Sequence, residues 1–182
     1  MRAYTKTIEN IKSRSTRFPL VLQVSLFALL AVIVPQWTGC AAHPLQGKEA
    51  PSFNLRLVDG GTLDLAQHLG KRPIVLDFWA VWCPACRAGI PGTASAAARF
   101  KSQDVVICTV NLGDNREDIV SFLKSNAIAA PVAMDERSSL SGIYNLEGIP
   151  TKVFINRDGM ISRVVVGSMT ASSLTEAIEE LL

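Results

Sequence analysis

Cys83 and Cys86 stand three residues apart in Asp77-Phe78-Trp79-Ala80-Val81-Trp82-Cys83-Pro84-Ala85-Cys86-Arg87. Residues three apart on a helix share one face, so the two sulfurs can meet. Such a pair can cycle between dithiol and disulfide with little backbone movement. The apolar run Ile74 to Phe78 reads as a buried strand, and the segment after Cys83 is compatible with a helix. Free N–H groups and the dipole at a helix N-terminus stabilise negative charge, here the thiolate of Cys83. A free cysteine titrates near ~8.5, and this setting can lower that by one to several units. Pro84 fits the first turn, where its missing N–H would have had no partner anyway. Cys83 is therefore the candidate nucleophile. Cys86, one turn in, is the candidate resolving thiol, whose attack on a mixed disulfide releases the product.

Two other readings of the pair remain. One is half of a zinc site, but zinc needs about four ligands. There is no second CxxC, and His43 and His68 have no ligand spacing. No metal is expected. The other is a disulfide with only a structural role, which an oxidising compartment would permit. Cys108, in Val105-Val106-Ile107-Cys108-Thr109-Val110, reads as a small buried hydrophobe without a redox role. His43 and His68 read as surface residues.

Beyond the cysteines, Asp77 lies six residues before Cys83, Pro91 lies five after Cys86, and Gly148-Ile149-Pro150-Thr151 follows in order. Together these resemble the active site of thioredoxin-fold oxidoreductases. The long segment between the helix and Pro150, with the N-terminal anchor, resembles the membrane-tethered TlpA/ResA-like branch. The resemblance covers about residues 48 to 182. It implies that Asp77 is the buried acid of thioredoxin and the proton acceptor for Cys86. A buried carboxylate has a raised pKa and can exchange a proton near neutral pH. It also implies that Pro150 is cis and faces the cysteines, so that an extended peptide can pair there like an added strand. Trp82 and Ile149 would then form rims of the peptide groove, although Trp82 could equally be core. Trp79 reads as packing.

These groups must be positioned by a sheet and helices. Pro51 to Val58 and Thr62 to Leu65 suggest a short strand or hairpin, and Asp64 to Leu69 a short helical turn. Ile74 to Phe78 is the central strand, Pro84 to Phe100 the active-site helix and Val105 to Val110 the next strand. Asn115 can cap a helix from Arg116 to Asn126, with Ile119, Phe122 and Leu123 on one face. Pro131 to Met134 is extended, Ser138 to Tyr144 helical, Val153 to Val166 a hairpin and Ala171 to Leu182 a final helix. Strands alternating with helices fit an α/β sheet covered on both faces. The resemblance makes this a thioredoxin fold: a central mixed sheet flanked by helices, with the extra strand and helix of the TlpA/ResA-like branch.

Residues 1 to 17 carry Arg2, Lys6, Lys12, Arg14 and Arg17 against Glu9, and residues 18 to 34 are apolar apart from Gln23 and Ser25. A basic stretch before an apolar one is a targeting segment, here 1–39, and everything beyond it is expected to be exported. Trp37-Thr38-Gly39-Cys40 resembles a bacterial lipobox, which implies lipidation at Cys40. Trp37 departs from the usual aliphatic residue, and an uncleaved signal anchor is the alternative, since Phe18 to Trp37 approaches the ~20 residues of a spanning helix. Residues 40–50 read as a tether and 51–182 as one thioredoxin-like domain. Five of the 18 Lys and Arg and one of the 16 Asp and Glu precede residue 41, so the rest carries 13 against 15, a net charge of −2. No basic stripe for nucleic acid remains.

The expected function is a membrane-tethered thiol–disulfide oxidoreductase on the periplasmic or outer side of a bacterial membrane. It would have no cofactor beyond the Cys83–Cys86 pair and would be a monomer. The TlpA/ResA-like resemblance implies a reductant for cysteines of exported proteins, such as apocytochrome c or oxidase assembly factors. A membrane thiol transporter would be the electron donor. Cys-Pro-Ala-Cys itself does not fix direction, so an oxidase or isomerase stays open. A peroxidase would need Pro-x-x-x-Thr-x-x-Cys, whereas Leu76 and Ala80 stand in those places. A copper-binding assembly protein would use CxxxC with a later histidine, and none follows His68.

Overall fold

The computed structural model describes residues 42–182. The expected targeting segment, Cys40 and the start of the tether lie outside the described residues. The elements run β1 (Asn54–Arg56), β2 (Thr62–Asp64), a 3-10 turn (Leu65–Gln67), β3 (Ile74–Trp79), α1 (Pro84–Arg99) and β4 (Val106–Leu112). They continue α2 (Arg116–Ser125), β5 (Val132–Asp135), α3 (Ser139–Ile143), β6 (Thr151–Ile155), β7 (Ile161–Val166) and α4 (Ala171–Glu179). Among the described residues no helix is long and apolar enough to cross a membrane.

The main sheet has five strands in the order β5-β4-β3-β6-β7. β3, β4 and β5 are parallel, while β6 is antiparallel to both β3 and β7. The sheet is therefore mixed, as expected. Every residue of β3 is buried, which explains its unbroken apolar run, Asp77 excepted. Alternate β3 residues face opposite sides. Val75 packs with Ala96 of α1, with Phe100 just past its end, and with Leu174 and Ile178 of α4. Trp79 packs with Cys86 and Ile90 of α1 and with Ile119 and Phe122 of α2. Leu76 and Phe78 point the other way, toward Leu140, Tyr144, Leu63 and Leu65.

Asn115 caps α2, accepting from the Asp118 N–H at 2.8 Å. Tyr144 is wholly buried beside Phe78 and donates to the Pro51 carbonyl at 2.5 Å. Burial pushes its phenol well above the ordinary tyrosine range. The β1–β2 hairpin bridges β5 through Leu57 and Ala133, so the β5 edge is covered.

Residues that composition places in the tether are tied into the domain. Glu49 bridges Met160, and the Ile161 N–H donates to the Lys48 carbonyl at 2.8 Å. These are backbone bonds, which leave no side-chain signal in the sequence. β4 runs two residues past its expected end at Val110, because Asn111 and Leu112 pair with β5. Cys108 faces the core at 2% exposure, and burial pushes its thiol up to about 12. His68 is half-buried rather than fully at the surface, and burial lowers its pKa.

Candidate active site

β3 delivers the chain to a three-residue loop, Ala80 to Trp82, and Cys83 then caps α1. Its backbone is extended, with φ −88° and ψ 109°, and its Sγ accepts from the Cys86 N–H at 3.2 Å. The sulfur of Cys83 thus occupies the position of a helix-capping oxygen, where a thiolate meets a backbone donor and the positive end of the dipole. Cys83 and Cys86 are joined as a disulfide, with Cα atoms 5.2 Å apart. Pro84 occupies the first turn.

Cys83 is 5% exposed and Cys86 1%. The sequence implies a solvent-reaching Cys83. In the disulfide its sulfur instead lies 3.8 Å from the Ile149 carbonyl and within the apolar cluster of Trp79, Ile90 and Ile149. Trp82, read evenly as core or rim, is 71% exposed. Trp79 is fully buried, its ring centroid 5.3 Å from that of Phe122. The Ile149–Pro150 peptide is cis. Thr151 Oγ1 donates to the Gly148 carbonyl at 2.6 Å, and the Gly167 N–H donates to the Pro150 carbonyl at 2.7 Å.

Asp77 is buried on the α1 side of β3, but it is not the unpaired acid that the sequence suggests. Lys152 on β6 sits opposite it in register and is 2% exposed. Its Nζ lies 2.9 Å from Asp77 Oδ2, which also accepts from Thr93 Oγ1 at 2.5 Å. The ion pair with Lys152 offsets part of the cost of burying the Asp77 carboxylate. Thr93 lies seven residues beyond Cys86, about 10 Å along an ideal helix. Asp77 Oδ1 is buried and has no hydrogen-bond partner among the described residues. Lys152 and Thr93 went unrecognised in the sequence. The available signal was a lone lysine at the head of the apolar strand Val153-Phe154-Ile155, where a buried cation requires an acid.

A second group was missed at the end of β4. Asp114 Oδ2 accepts from the Val81 N–H at 2.5 Å and from Asn111 Nδ2 at 2.8 Å. The Asp114 N–H returns a bond to Asn111 Oδ1 at 3.2 Å, and Asn111 is fully buried. The loop that presents Cys83 is therefore braced by the strand beside it.

A strand that leads through a short loop to a helix-capping cysteine, with a second cysteine one turn on and a cis X–Pro segment alongside, defines the thioredoxin-like class. The family model for AhpC/TSA matches residues 46–164. The thiol-disulfide oxidoreductase ResA of Bacillus subtilis (strain 168) is 34% identical over 129 residues, covering 71% of this chain and 72% of its own. The sporulation thiol-disulfide oxidoreductase A of the same organism is 28% identical over 161 residues, covering 86% and 96%. Among solved structures, a secreted Mycobacterium tuberculosis disulfide oxidoreductase homologous to E. coli DsbE superposes with a TM-score of 0.63. It is 26% identical and covers 71% of this chain and 96% of its own. The chain belongs to the AhpC/TSA family, in the TlpA/ResA-like branch of thioredoxin-fold thiol–disulfide oxidoreductases.

Proposed function

We propose that this oxidoreductase is an extracytoplasmic, membrane-tethered reductant of disulfides in exported proteins, with apocytochrome c cysteines among its substrates. The observation that carries the exchange chemistry is the capping position of the Cys83 sulfur, 3.2 Å from the Cys86 N–H. In the reduced protein the Cys83 thiolate attacks one sulfur of a substrate disulfide. That S–S bond breaks, the second substrate sulfur leaves as a thiolate and takes up a proton, and a Cys83–substrate mixed disulfide forms. Cys86 then loses its proton and attacks Cys83 Sγ. The Cys83–Cys86 bond closes and the remaining substrate sulfur leaves and is protonated. Two electrons and two protons pass to the substrate, and no other cofactor takes part. Asp77 takes the Cys86 proton at Oδ1, the oxygen left open by Lys152 and Thr93. Trp82, Ile149 and Pro150 hold the peptide beside the sulfurs. A membrane thiol transporter re-reduces the pair, and the protein acts as a monomer.

The TlpA/ResA-like relationship and the basic-then-apolar N-terminus support this direction and compartment. The secreted relative supports the compartment as well. The test of direction is the equilibrium reduction potential of Cys83/Cys86. A reductant is expected near the roughly −270 mV of thioredoxin, whereas a value near the roughly −120 mV of DsbA makes the protein an oxidase.

The tether is tested separately. With lipid on Cys40 the mature chain begins there, so Cys40→Ser is expected to leave a larger, unprocessed precursor. An unchanged mass and membrane fraction would assign Phe18 to Trp37 as an uncleaved anchor instead. Either result keeps Cys83 outside the cytoplasm, because the basic residues before Phe18 hold the N-terminus in.

A further inference from the structure

A cavity of about 660 Å³ lies beside the start of β4, at the end of the sheet away from the cysteines. Ala98 of α1 stands in its wall, about 22 Å of ideal helix beyond Cys83. The cavity takes the place of a stretch of sheet. β4 begins at Val106, but β5 begins only at Val132, which pairs with Thr109. Val106, Ile107 and Cys108 therefore have β3 on one side and no strand on the other.

The cause is a proline. The Val106 N–H donates to the Pro73 carbonyl at 3.0 Å, toward β3, and the Thr109 N–H donates to the Pro131 carbonyl at 3.0 Å, toward β5. Backbone groups alternate in direction along a strand, so Ile107 turns its N–H and C=O the same way as Thr109. In a continued register the Ile107 carbonyl would have to accept from Pro131, which has no N–H. The ladder stops there. Among the described residues no backbone hydrogen bond joins Ile107 to Ala129, Ala130 or Pro131. Ile107 is buried, so one donor and one acceptor face the cavity without a protein partner on that side.

The walls on both sides of this edge are apolar. Leu57 and Leu63 lie on the side of Cys108, and Ala97 and Phe100 on the side of Ile107. Two charged residues, Asp59 and Lys101, also line the cavity. Neither forms an ion pair among the described residues, but Asp59 already accepts from the Gly61 N–H at 3.0 Å. Lys101 is the exposed charge left to meet a partner.

We infer that the β4 edge at Ile107 docks an extended segment of a partner protein, apolar where it enters and bearing a carboxylate beside Lys101. The segment gives an N–H to the Ile107 carbonyl and accepts the Ile107 N–H, extending the sheet as β5 does further along. Its alternate side chains meet the two apolar walls. A lipid acyl chain would cover the walls but leave both backbone groups unpaired, which favours a peptide. A partner held here leaves the cysteines free.

The test uses the full-length chain in lipid nanodiscs, with empty nanodiscs as the blank. The probe is a fluorescent, C-terminally amidated hexapeptide, Val-Ala-Val-Ala-Val-Glu, followed by anisotropy. N-methylation of its backbone is expected to weaken binding by about tenfold, the scale of one or two hydrogen bonds. Exchanging its glutamate for lysine is expected to weaken binding by about threefold, and Lys101→Glu to reverse that order. Ala98→Trp, at an exposed helix position, puts an indole into the cavity and is expected to abolish detectable binding. Both variants should reduce bis(2-hydroxyethyl) disulfide at the wild-type rate, since neither residue is near the sulfurs. The N-methyl peptide and Lys101→Glu decide the matter if Ala98→Trp does not fold. No binding to the wild type, equal binding of the N-methyl peptide, or binding that survives Ala98→Trp would overturn the docking site. A charge order that Lys101→Glu leaves unmoved would overturn the carboxylate. Self-association that Ala98→Trp removes, without peptide binding, would make the occupant a second copy of this chain and overturn the partner.

Discussion

Asp77→Asn is expected to destabilise the protein by about 3–5 kcal/mol, the cost of leaving one buried partner of an ion pair alone. The sequence by itself implies the opposite sign, since removing an isolated buried charge relieves its desolvation. The difference is Lys152, 2% exposed, with Nζ 2.9 Å from the carboxylate. Asparagine keeps an acceptor for Thr93 but offers no charge to the ammonium. Lys152→Met alone should also destabilise, because it strands the carboxylate. The double variant should recover much of the loss, since replacing both ions by neutral groups is often neutral or stabilising. Urea denaturation of the four proteins measures the coupling directly. Additive losses in the double variant would show that the two groups do not interact. The catalytic role of Asp77 must be read from the pH dependence of resolution in variants corrected for this loss.

Cys86→Ser should arrest exchange after its first step. With no resolving thiol the mixed disulfide at Cys83 persists, so turnover with a peptide disulfide should fall by at least about two orders of magnitude, the least that removing an activated nucleophile costs. Mass spectrometry should find the substrate attached at Cys83 and nowhere else. Cys108 should stay unmodified, because its thiol is buried and remains protonated at neutral pH. Adducts at Cys108, or none at all with the fold intact, would remove Cys83 as the nucleophile.

The sequence made the cysteine pair, the central strand and the alternation of strands and helices legible, because these are local signals. Ile74 to Trp79 is an unbroken apolar run but for Asp77, and Pro84 marks the first turn of α1. Helix ends were also readable where a cap announces them, as at Asn115. What stayed hidden depends on partners distant in the chain. Lys152 meets Asp77 only because β6 lies antiparallel to β3 in one register. Asp114 reaches Val81 only because β4 ends beside the loop. The pairing of Glu49 with Met160 is made by backbone atoms, which every residue carries alike. Cys83 read as exposed because a helix N-terminus normally is; the packing of Ile149 over it comes from a segment that local pattern cannot place.

The brace at Asp114 bears on how long a substrate stays attached. With the Val81 amide held to the end of β4, the backbone that carries Cys83 keeps its place relative to α1, which carries Cys86. The resolving sulfur then acts as a neighbouring group of high effective molarity rather than one that must search for its target. In the proposed reaction, covalent residence on the protein is expected to be correspondingly brief. In the proposed direction of exchange, each substrate cysteine is expected to leave free before a competing thiol from solution intercepts it.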